Sequence, residues 1–243
     1  MRAALLSDVH GNRHAFEAVL AATAEQGVDA VWCLGDLVGY GADPNACVAL
    51  ARERCSVILA GNHDLAVTGD LSLEEFSRGA ALAAHWTQTV IEDEHLEFLR
   101  GLSPKGQADG IGLYHASPRD PIWEYVLSSM LADMCLTAQP ERISVVGHSH
   151  VALSFSRDSD AEATGTPRED GEVADLSGGE WLMNPGSVGQ PRDGDPRAAW
   201  LLLDTERWRA EWRRTEYDIA GAAAAIRAAR LPDSLAERLE YGQ

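Results

Sequence analysis

Residues 3–12 read AALLSDVHGN, an apolar run of four residues that passes directly into a polar cluster. A short apolar run bounded by turn-forming residues is typical of a buried strand, and Asp8 and His10 follow this one at once. Apolar residues at helical spacing then occupy Arg13–Gln26, before a second apolar run at Ala30–Leu34. This alternation of strand, helix and strand predicts a parallel α/β sheet.

Four further apolar runs end in polar clusters in the same way. Because the carboxyl ends of parallel strands meet at one edge of a sheet, the side chains that follow the strands are expected to lie together. Imidazole and carboxylate donors in one cluster suit Mn, Fe, Ni or Zn better than Ca or Mg. The predicted metal ligands are Asp8, His10, Asp36, Asn62, His115, His148 and His150.

This set of ligands is too large for one tetrahedral zinc ion, which takes about four. Two ions that share one bridging carboxylate match the set, and ions about 3.5–4 Å apart are the usual arrangement for phosphoryl hydrolysis. With two divalent ions, a bridging hydroxide and the carboxylates of Asp8 and Asp36, the predicted site has a net charge of about +1. An anionic phosphate is then attracted to this site in a chain whose formal charge is −18.

Composition limits the classes of function. The 243 residues include 38 acidic and 20 basic ones, and this balance argues against binding of long nucleic acids, which needs a basic surface. No segment approaches the ~18 apolar residues of a membrane span, and Ala3–Leu6 is shorter than the ~7–15-residue core of a signal peptide. The four cysteines form no CxxC pair, which predicts reduced thiols. We therefore expect a cytoplasmic protein with a small anionic substrate and no membrane partner.

The remaining pattern predicts one domain over residues 1–243 with two unusual segments. Residues 71–102 have a helical pattern throughout and predict a cap beside the sheet. Residues 157–180 are rich in acidic residues and glycine, which predicts a solvated loop or hairpin. Further helices are predicted over Pro44–Arg54, Trp123–Leu136 and Ile219–Arg230, and further strands over Val57–Leu59, Ile111–Tyr114, Ile143–Val146, Val151–Phe155, Trp181–Met183, Ala199–Leu203 and Arg207–Arg214.

The motifs occur in an order that resembles a known family. The text DVHGN at 8–12, CLGDLVGYG at 33–41, LAGNHD at 59–64 and VVGHSH at 145–150 is similar to the calcineurin-like metallophosphoesterases, and most similar to their small prokaryotic phosphodiesterase-like branch. The resemblance implies a four-layer α/β/β/α sandwich of two mixed sheets flanked by helices. It also implies a dinuclear metal-dependent phosphohydrolase that acts on small or nucleotide-like phosphodiesters, with a metal-bridging hydroxide as nucleophile.

The same resemblance implies a role for each residue of the motifs. His63 matches the family's histidine that is not a ligand, contacts the phosphate and protonates the leaving oxygen. Asp64 is implied to orient the imidazole of His63. The implied first metal site is Asp8, His10, Asp36 and His150, and the second is Asp36, Asn62, His115 and His148, with Asp36 as the bridge.

Residues near these ligands leave alternatives open. Asn12, Tyr40 and Arg192 lie in predicted loops, where contact with substrate and a turn or packing role are both consistent with the sequence. The other histidines have no partner motif, and we expect them at the surface or in packing positions. These histidines are His14, His85 and His95.

The sequence leaves three alternative functions to compare with catalysis on diesters. Ser/Thr protein phosphatases carry an Asp-Arg pair after the second motif, whereas this chain has Gly39 and Tyr40 there, which weakens the phosphatase alternative. A nuclease is disfavoured by the net charge. A non-catalytic scaffold tolerates loss of ligands and of the GNH histidine; all are present here, so the sequence favours catalysis.

Overall fold

A computed structural model, which describes residues 1–159 and 161–243, places the strands in two mixed sheets of six strands each. In the first sheet the amino-terminal strands are parallel to each other, as the alternation of strand and helix predicts. Three later strands extend the sheet in antiparallel register. In spatial order the first sheet consists of β3 (Val57–Ile58), β2 (Ala30–Cys33), β1 (Arg2–Leu6), β11 (Ala198–Asp204), β12 (Arg209–Thr215) and β9 (Val173–Asp175).

The second sheet has a parallel centre and antiparallel edges. Its central strands carry the remaining histidine motifs at their carboxyl ends. In spatial order it consists of β4 (Lys105–Ala108), β5 (Ile111–Tyr114), β6 (Ile143–Val145), β10 (Glu180–Pro185), β7 (Ala152–Arg157) and β8 (Thr164–Pro167).

Helices cover the outer faces of both sheets. Asn12 begins the first helix, because its side-chain oxygen accepts a hydrogen bond from the amide of Ala15. A proline opens the second helix at its first position, where its missing N–H group costs nothing. The helices are α1 (Arg13–Glu25), α2 (Pro44–Arg54), α3 (Asn62–Thr68), α4 (Arg78–Val90), α5 (Asp93–Arg100), α6 (Ser129–Ala138), α7 (Ile219–Ala228) and α8 (Asp233–Tyr241), with a short 3₁₀ turn at Leu73–Glu75.

Alternation along the strands divides the core into layers. In β1, Leu5 faces the second sheet and packs with Leu113 and Val145, whereas Leu6 faces outward and packs with Phe16 of α1. On the far side of the second sheet, α6 covers β7 and β10. The layers are therefore helix, sheet, sheet and helix, which confirms the predicted α/β/β/α sandwich.

Most predicted elements are present with shifted ends, and the helix predicted over Trp123–Leu136 is wrong in its first half. Asp120 accepts hydrogen bonds from the amides of residues 122 and 123, which makes a turn, and the side chain of Ser128 caps α6. The helix therefore begins at Ser129, and residues 121–127 form a loop. The predicted helical pattern of residues 71–102 is confirmed, whereas β4 and α8 were not predicted.

The acidic segment 157–180, which the structure describes except at position 160, contains the second strand of a hairpin, as the sequence predicts, because β8 pairs antiparallel with the preceding β7. Strand β8 pairs with β7 in the second sheet, and β9 pairs with β12 in the first, so this segment crosses between the sheets. Arg168 lies over the Trp212 ring at 4.7 Å, a contact that links the crossing segment to β12.

Among residues 1–159 and 161–243, we find no helix with the length and hydropathy that a membrane-spanning segment requires.

Candidate active site

The predicted ligands converge at the place where the carboxyl ends of strands from both sheets meet. Asp8 and His10 follow β1, Asp36 follows β2, and Asn62 opens α3 after β3. The second sheet contributes the others, since His115 follows β5, and the GHSH motif follows β6. All seven side chains are buried, and none is more than 4% exposed.

The donor atoms form two overlapping groups. One group contains Asp8, His10, Asp36 and His150, and the other contains Asp36, His115 and His148. Within each group the donor atoms lie within 4.8 Å of one another. Oδ2 of Asp36 lies 3.5 Å from Nε2 of His10 and 3.6 Å from Nε2 of His115, between the two groups. Asn62 joins the second group, with its Oδ1 3.1 Å from Nε2 of His115.

The protonation of three imidazoles shows whether a cation fits. The Nδ1 atoms of His10, His115 and His150 lie 3.1, 2.9 and 2.6 Å from backbone carbonyl oxygens. A carbonyl only accepts, so each Nδ1 carries the proton and each Nε2 presents a lone pair. The Nε2 atoms of His10 and His150 are only 3.1 Å apart. Two lone pairs at this distance repel each other unless a cation lies against them.

Unpaired acceptors support the same conclusion. In the described part of the chain, Oδ1 of Asp8 and Nε2 of His148 are buried and have no hydrogen-bond partner. An unpaired buried polar group costs about 1–3 kcal/mol, and a divalent ion would remove that cost here. The set of imidazole nitrogens and carboxylate oxygens therefore fits a transition-metal centre.

Burial sets the charge of this cluster without metal. It raises the pKa of Asp8 to about 7 and raises the pKa of Asp36 well above its ordinary value, with Asp64 adding to the second effect. Burial also lowers the pKa values of His10 and His148 well below the usual range, which keeps these rings neutral. A divalent cation reverses this balance for the carboxylates, because it stabilises their ionised form.

The backbone at the site is strained. Five predicted ligands have left-handed backbone conformations, which cost about 1–3 kcal/mol each in a non-glycine residue. Such conformations persist only where surrounding contacts hold them. Oδ1 of Asp36 accepts from the amide of His63 at 2.8 Å, and Oδ2 of Asp8 accepts from the amide of His148 at 3.1 Å. The φ angles are 57° at Asp8, 51° at His10, 53° at Asp36, 63° at His148 and 60° at His150.

Two glycines leave room for the site. A Cβ atom at Gly61 would lie 2.0 Å from Oδ1 of Asp36. At Gly39, which has a φ of +89°, a Cβ atom would lie 2.4 Å from Nδ1 of His63. Gly39 therefore belongs to the wall behind His63.

His63 lies beside the metal ligands without belonging to either group. Its ring is 4.4 Å from the ring of Tyr40 and 5.1 Å from that of Phe76. Burial and the guanidinium of Arg192 lower the pKa of His63 to about 3. Its Nδ1 is buried and has no partner in residues 1–159 and 161–243. Because Nδ1 faces Gly39, Nε2 is the ring nitrogen left to face the cavity.

The expected contact between Asp64 and the imidazole of His63 is wrong. The carboxylate of Asp64 instead accepts hydrogen bonds from the amide of Val38 at 3.1 Å and from that of Gly61 at 2.9 Å. These bonds tie the loop after β2 to the start of α3. Asp64 therefore fixes the two loops that carry Asp36 and Asn62, because each of its carboxylate oxygens is bonded to a backbone amide.

A cavity of about 300 Å³ opens over the ligands. Tyr40 and Arg192, two of the three residues predicted to contact substrate, line it, and Nη2 of Arg192 donates to the Tyr40 hydroxyl at 3.3 Å. Asn12 does not line this cavity. Its side-chain Oδ1 accepts a hydrogen bond from the amide of Ala15, and its Nδ2 donates to the carbonyl of Gly189. For Asn12 the structure supports the packing role.

Several lining residues were not predicted from the sequence. Phe76 lies in the predicted cap, Arg238 lies on the unpredicted α8, and Trp123 and Tyr125 lie in the segment that was predicted as helix. The ring of Tyr125 is 4.1 Å from that of His148. In the sequence, the turn residues before Trp123 and the capping Ser128 are the features from which this loop could be predicted.

The remaining histidines are outside the metal groups: His85 is exposed, His14 is half-buried on α1, and His95 packs against Asn45.

Two mixed sheets with a histidine and aspartate centre between their strand ends define a metal-dependent phosphoesterase. The sequence model of the calcineurin-like phosphoesterase superfamily domain matches residues 1–207, and the chain belongs to this superfamily. The chain is 38% identical to an uncharacterized protein of Methanocaldococcus jannaschii, over 99% of this chain and 98% of the relative.

Solved structures agree with the fold. The crystal structure of a metallophosphoesterase from Sphaerobacter thermophilus matches with a TM-score of 0.90 at 40% identity, and the match covers 100% of this chain and 99% of the other. A hypothetical protein from Pyrococcus horikoshii matches with a TM-score of 0.80 at 18% identity, over 100% of this chain and 98% of the other. The second likeness supports the fold alone.

We expect Gly61→Ala to destabilise the protein by at least about 2 kcal/mol, because the added methyl group collides with the buried Asp36 carboxylate. Its metal content should fall as well. Gly178→Ala is the matched control, since a Cβ atom there meets nothing within 4 Å. Chemical denaturation and elemental analysis measure both effects. Equal stability of the two variants would contradict the proposed crowding at Gly61.

Mn²⁺ affinity should rise with pH from 5 to 7. The pKa of Asp8 is raised to about 7, so this carboxyl holds a proton at pH 6 that the metal must displace, and burial raises the pKa of Asp36 in the same direction. Calorimetry in two buffers with different ionisation enthalpies measures the protons released. Asp8→Asn should release about one proton fewer. An affinity that is constant between pH 5 and 8 would show that these carboxyls are ionised before the metal binds.

Proposed function

We propose that this protein is a dinuclear metal-dependent phosphodiesterase that acts on small or nucleotide-like phosphoesters. The position of Asp36 carries the proposal. One oxygen of its carboxylate is 3.5 and 3.6 Å from donor nitrogens of the two groups, and the other is held by the amide of His63. This geometry supports a carboxylate shared by two ions, and transition metals such as Mn, Fe, Ni or Zn suit the donor set.

Bound divalent ions would supply a Lewis acid for the phosphoryl oxygens and an activated water as the nucleophile. His63 supplies the proton for the leaving oxygen from Nε2, which faces the cavity. The low pKa of His63 keeps the ring neutral before substrate binds. An anionic phosphoester raises the pKa of His63 again, since a nearby negative charge favours the protonated imidazole. Arg192 contributes a guanidinium at the Tyr40 side of the same cavity.

The shape of the cavity supports a diester over a monoester. The absence of an arginine at position 40 is not by itself an argument, because the guanidinium of Arg192 lies against the Tyr40 hydroxyl. The cavity instead borders ligands of both groups, since Asn62, His148 and His150 line it. Phe76 and Trp123, whose rings are 5.2 Å apart, form an aromatic wall with Tyr125 on the His148 side, and Arg192 lies on the other side. A diester has an ester group for each side, and an aromatic wall suits a planar group such as a nucleobase.

Composition supports the rest of the proposal. A net charge of −18 favours a small anionic phosphoester over a long nucleic acid, and no membrane partner is proposed. The four cysteines are free thiols in the structure, and three of them are buried, which is consistent with the proposed cytoplasmic location.

Asp36→Asn should lower the metal content from about two ions per chain to less than about one, because a shared ligand serves both positions. His63→Ala is the contrasting variant, since its side chain is in neither ligand group. It should keep its metal while turnover falls by about 10²–10⁴. Elemental analysis and initial rates measure both. Full occupancy in Asp36→Asn would refute the shared carboxylate, and parallel loss of metal and turnover in His63→Ala would make that residue a ligand.

With Mn-loaded protein, kcat/KM should be at least about tenfold higher for bis(p-nitrophenyl) phosphate than for p-nitrophenyl phosphate, which has the same leaving group. Trp123→Ala should reduce the diester value by about tenfold through a higher KM, because it removes part of the aromatic wall. The same variant should change the monoester value less. A clear preference for the monoester or for phosphopeptides would restore the phosphatase alternative.

A further inference from the structure

Two arginines meet on the Tyr40 side of the cavity. Arg192 follows the strand-end loop that contains Gln190, and Arg238 lies on α8. Nη2 of Arg192 and Nη1 of Arg238 each donate to Oε1 of Gln190, both at 3.2 Å. Two positive charges are therefore held against one neutral amide oxygen.

In the described residues no carboxylate contacts either arginine, and the buried carboxylates of Asp8 and Asp36 attract Arg192 from a longer distance. Neither guanidinium forms an ion pair there, and Nε of Arg192 is buried without an acceptor. Glu75 also lines the cavity, but it is exposed and contacts neither arginine. Burial and the Arg192 guanidinium lower the pKa of Arg238, so the two charges disfavour each other. An anion between them would remove this repulsion and satisfy the free donor.

The pair is held in place by the fold. Leu235 and Leu239 of α8 pack in one apolar cluster with Tyr40, which fixes the helix beside the cavity. Gln190 is 1% exposed, and its backbone carbonyl accepts from Nδ1 of His150 at 2.6 Å. The same residue thus orients a metal ligand through its backbone and both guanidiniums through its side chain.

Space continues beyond the arginines. A second cavity of about 490 Å³ adjoins the first, and the two share Tyr40, Ser77, Ala80 and Arg238 in their walls. Arg238 therefore stands at the junction of the two spaces. A ligand held at the metal ligands has room to extend past it.

We propose that Arg192 and Arg238 form an anion subsite, and that the substrate is a phosphoester with a second phosphate group. This proposal depends on the proposed function in one respect: it assumes that the ester phosphate of the ligand binds at the metal ligands. Arg238 lies beyond residue 207, where the match to the superfamily domain ends. The second arginine is thus an addition that the carboxyl-terminal helix makes to the common domain.

The expected effect is on binding. A charge-assisted contact between a guanidinium and a phosphate changes affinity by about tenfold or more. Such a contact is present before and during the reaction, so for a substrate it lowers KM with little change in kcat. The measured quantity is the ratio of two dissociation constants, for a ligand with one phosphate and for a ligand with two.

The experiment is calorimetric titration of the Mn-loaded full chain with thymidine 5′-monophosphate, thymidine 5′-diphosphate and thymidine 3′,5′-bisphosphate. In the unmodified protein, one of the two-phosphate ligands should bind at least about tenfold more tightly than the monophosphate. Arg238→Gln should reduce this ratio to about two or less, and Arg238→Lys should retain part of it. Arg230→Gln is the control, since it removes the same charge from an exposed arginine that lines neither cavity, and it should keep the full ratio.

An equal ratio in the unmodified protein and in Arg238→Gln would overturn the subsite, as would the absence of any gain from the second phosphate. Thermal unfolding identifies a variant that is misfolded, and Arg238→Lys then takes its place. None of the three ligands contains a phosphodiester bond and the readout is binding, so this result is separate from the proposed phosphodiesterase activity. If diesters are not cleaved but the ratio depends on Arg238, the phosphodiesterase proposal fails and the anion subsite stands.

Discussion

The buried carboxylate of Asp36 is the constraint on which the site depends. It is held between two imidazole nitrogens, in an interior where its ionised form is unfavourable, and the backbone amide of His63 holds its other oxygen. Around it, the Nε2 atoms of His10 and His150 face each other with lone pairs. Such a cluster is stable as an ionised set only with a cation. The metal requirement is therefore a consequence of how these side chains are buried.

Holding these groups together determines the conformation of the loops. The ligands follow strands of two different sheets, so the sheets must pack face to face before the site exists. Left-handed backbone at several ligands turns the side chains inward, and the absence of a side chain at Gly61 makes space for Asp36. Asp64 closes the arrangement by binding the amides of Val38 and Gly61. The residue next to the proposed acid thus supports the metal ligands, and His63 is left free toward the cavity.

The cavity has two chemically different sides. Aromatic rings border the His148 side, and the two guanidiniums border the Tyr40 side. These walls come from segments outside the metal motifs: residues 71–102, the loop at 121–127 and α8. The strand ends hold the metal ligands, whereas these segments form the cavity wall beside them. Of the three, only α8 lies beyond the match to the superfamily domain.

By itself the sequence predicted the parallel strands, most of the helices and the side chains that the structure brings together at the strand ends, because short apolar runs followed by polar clusters are local patterns. Only the tertiary structure decided which atoms meet. The carboxylate of Asp64 accepts from backbone amides, and the side chain of Asn12 caps α1. Trp123 lies in a loop that lines the cavity, not in the predicted helix. No local sequence pattern marks Arg238 as a cavity residue. Its proposed role depends on Arg192, which is more than 40 residues away in sequence and donates to the same side-chain oxygen of Gln190. Contacts between distant segments depend on packing, and a local pattern does not contain them.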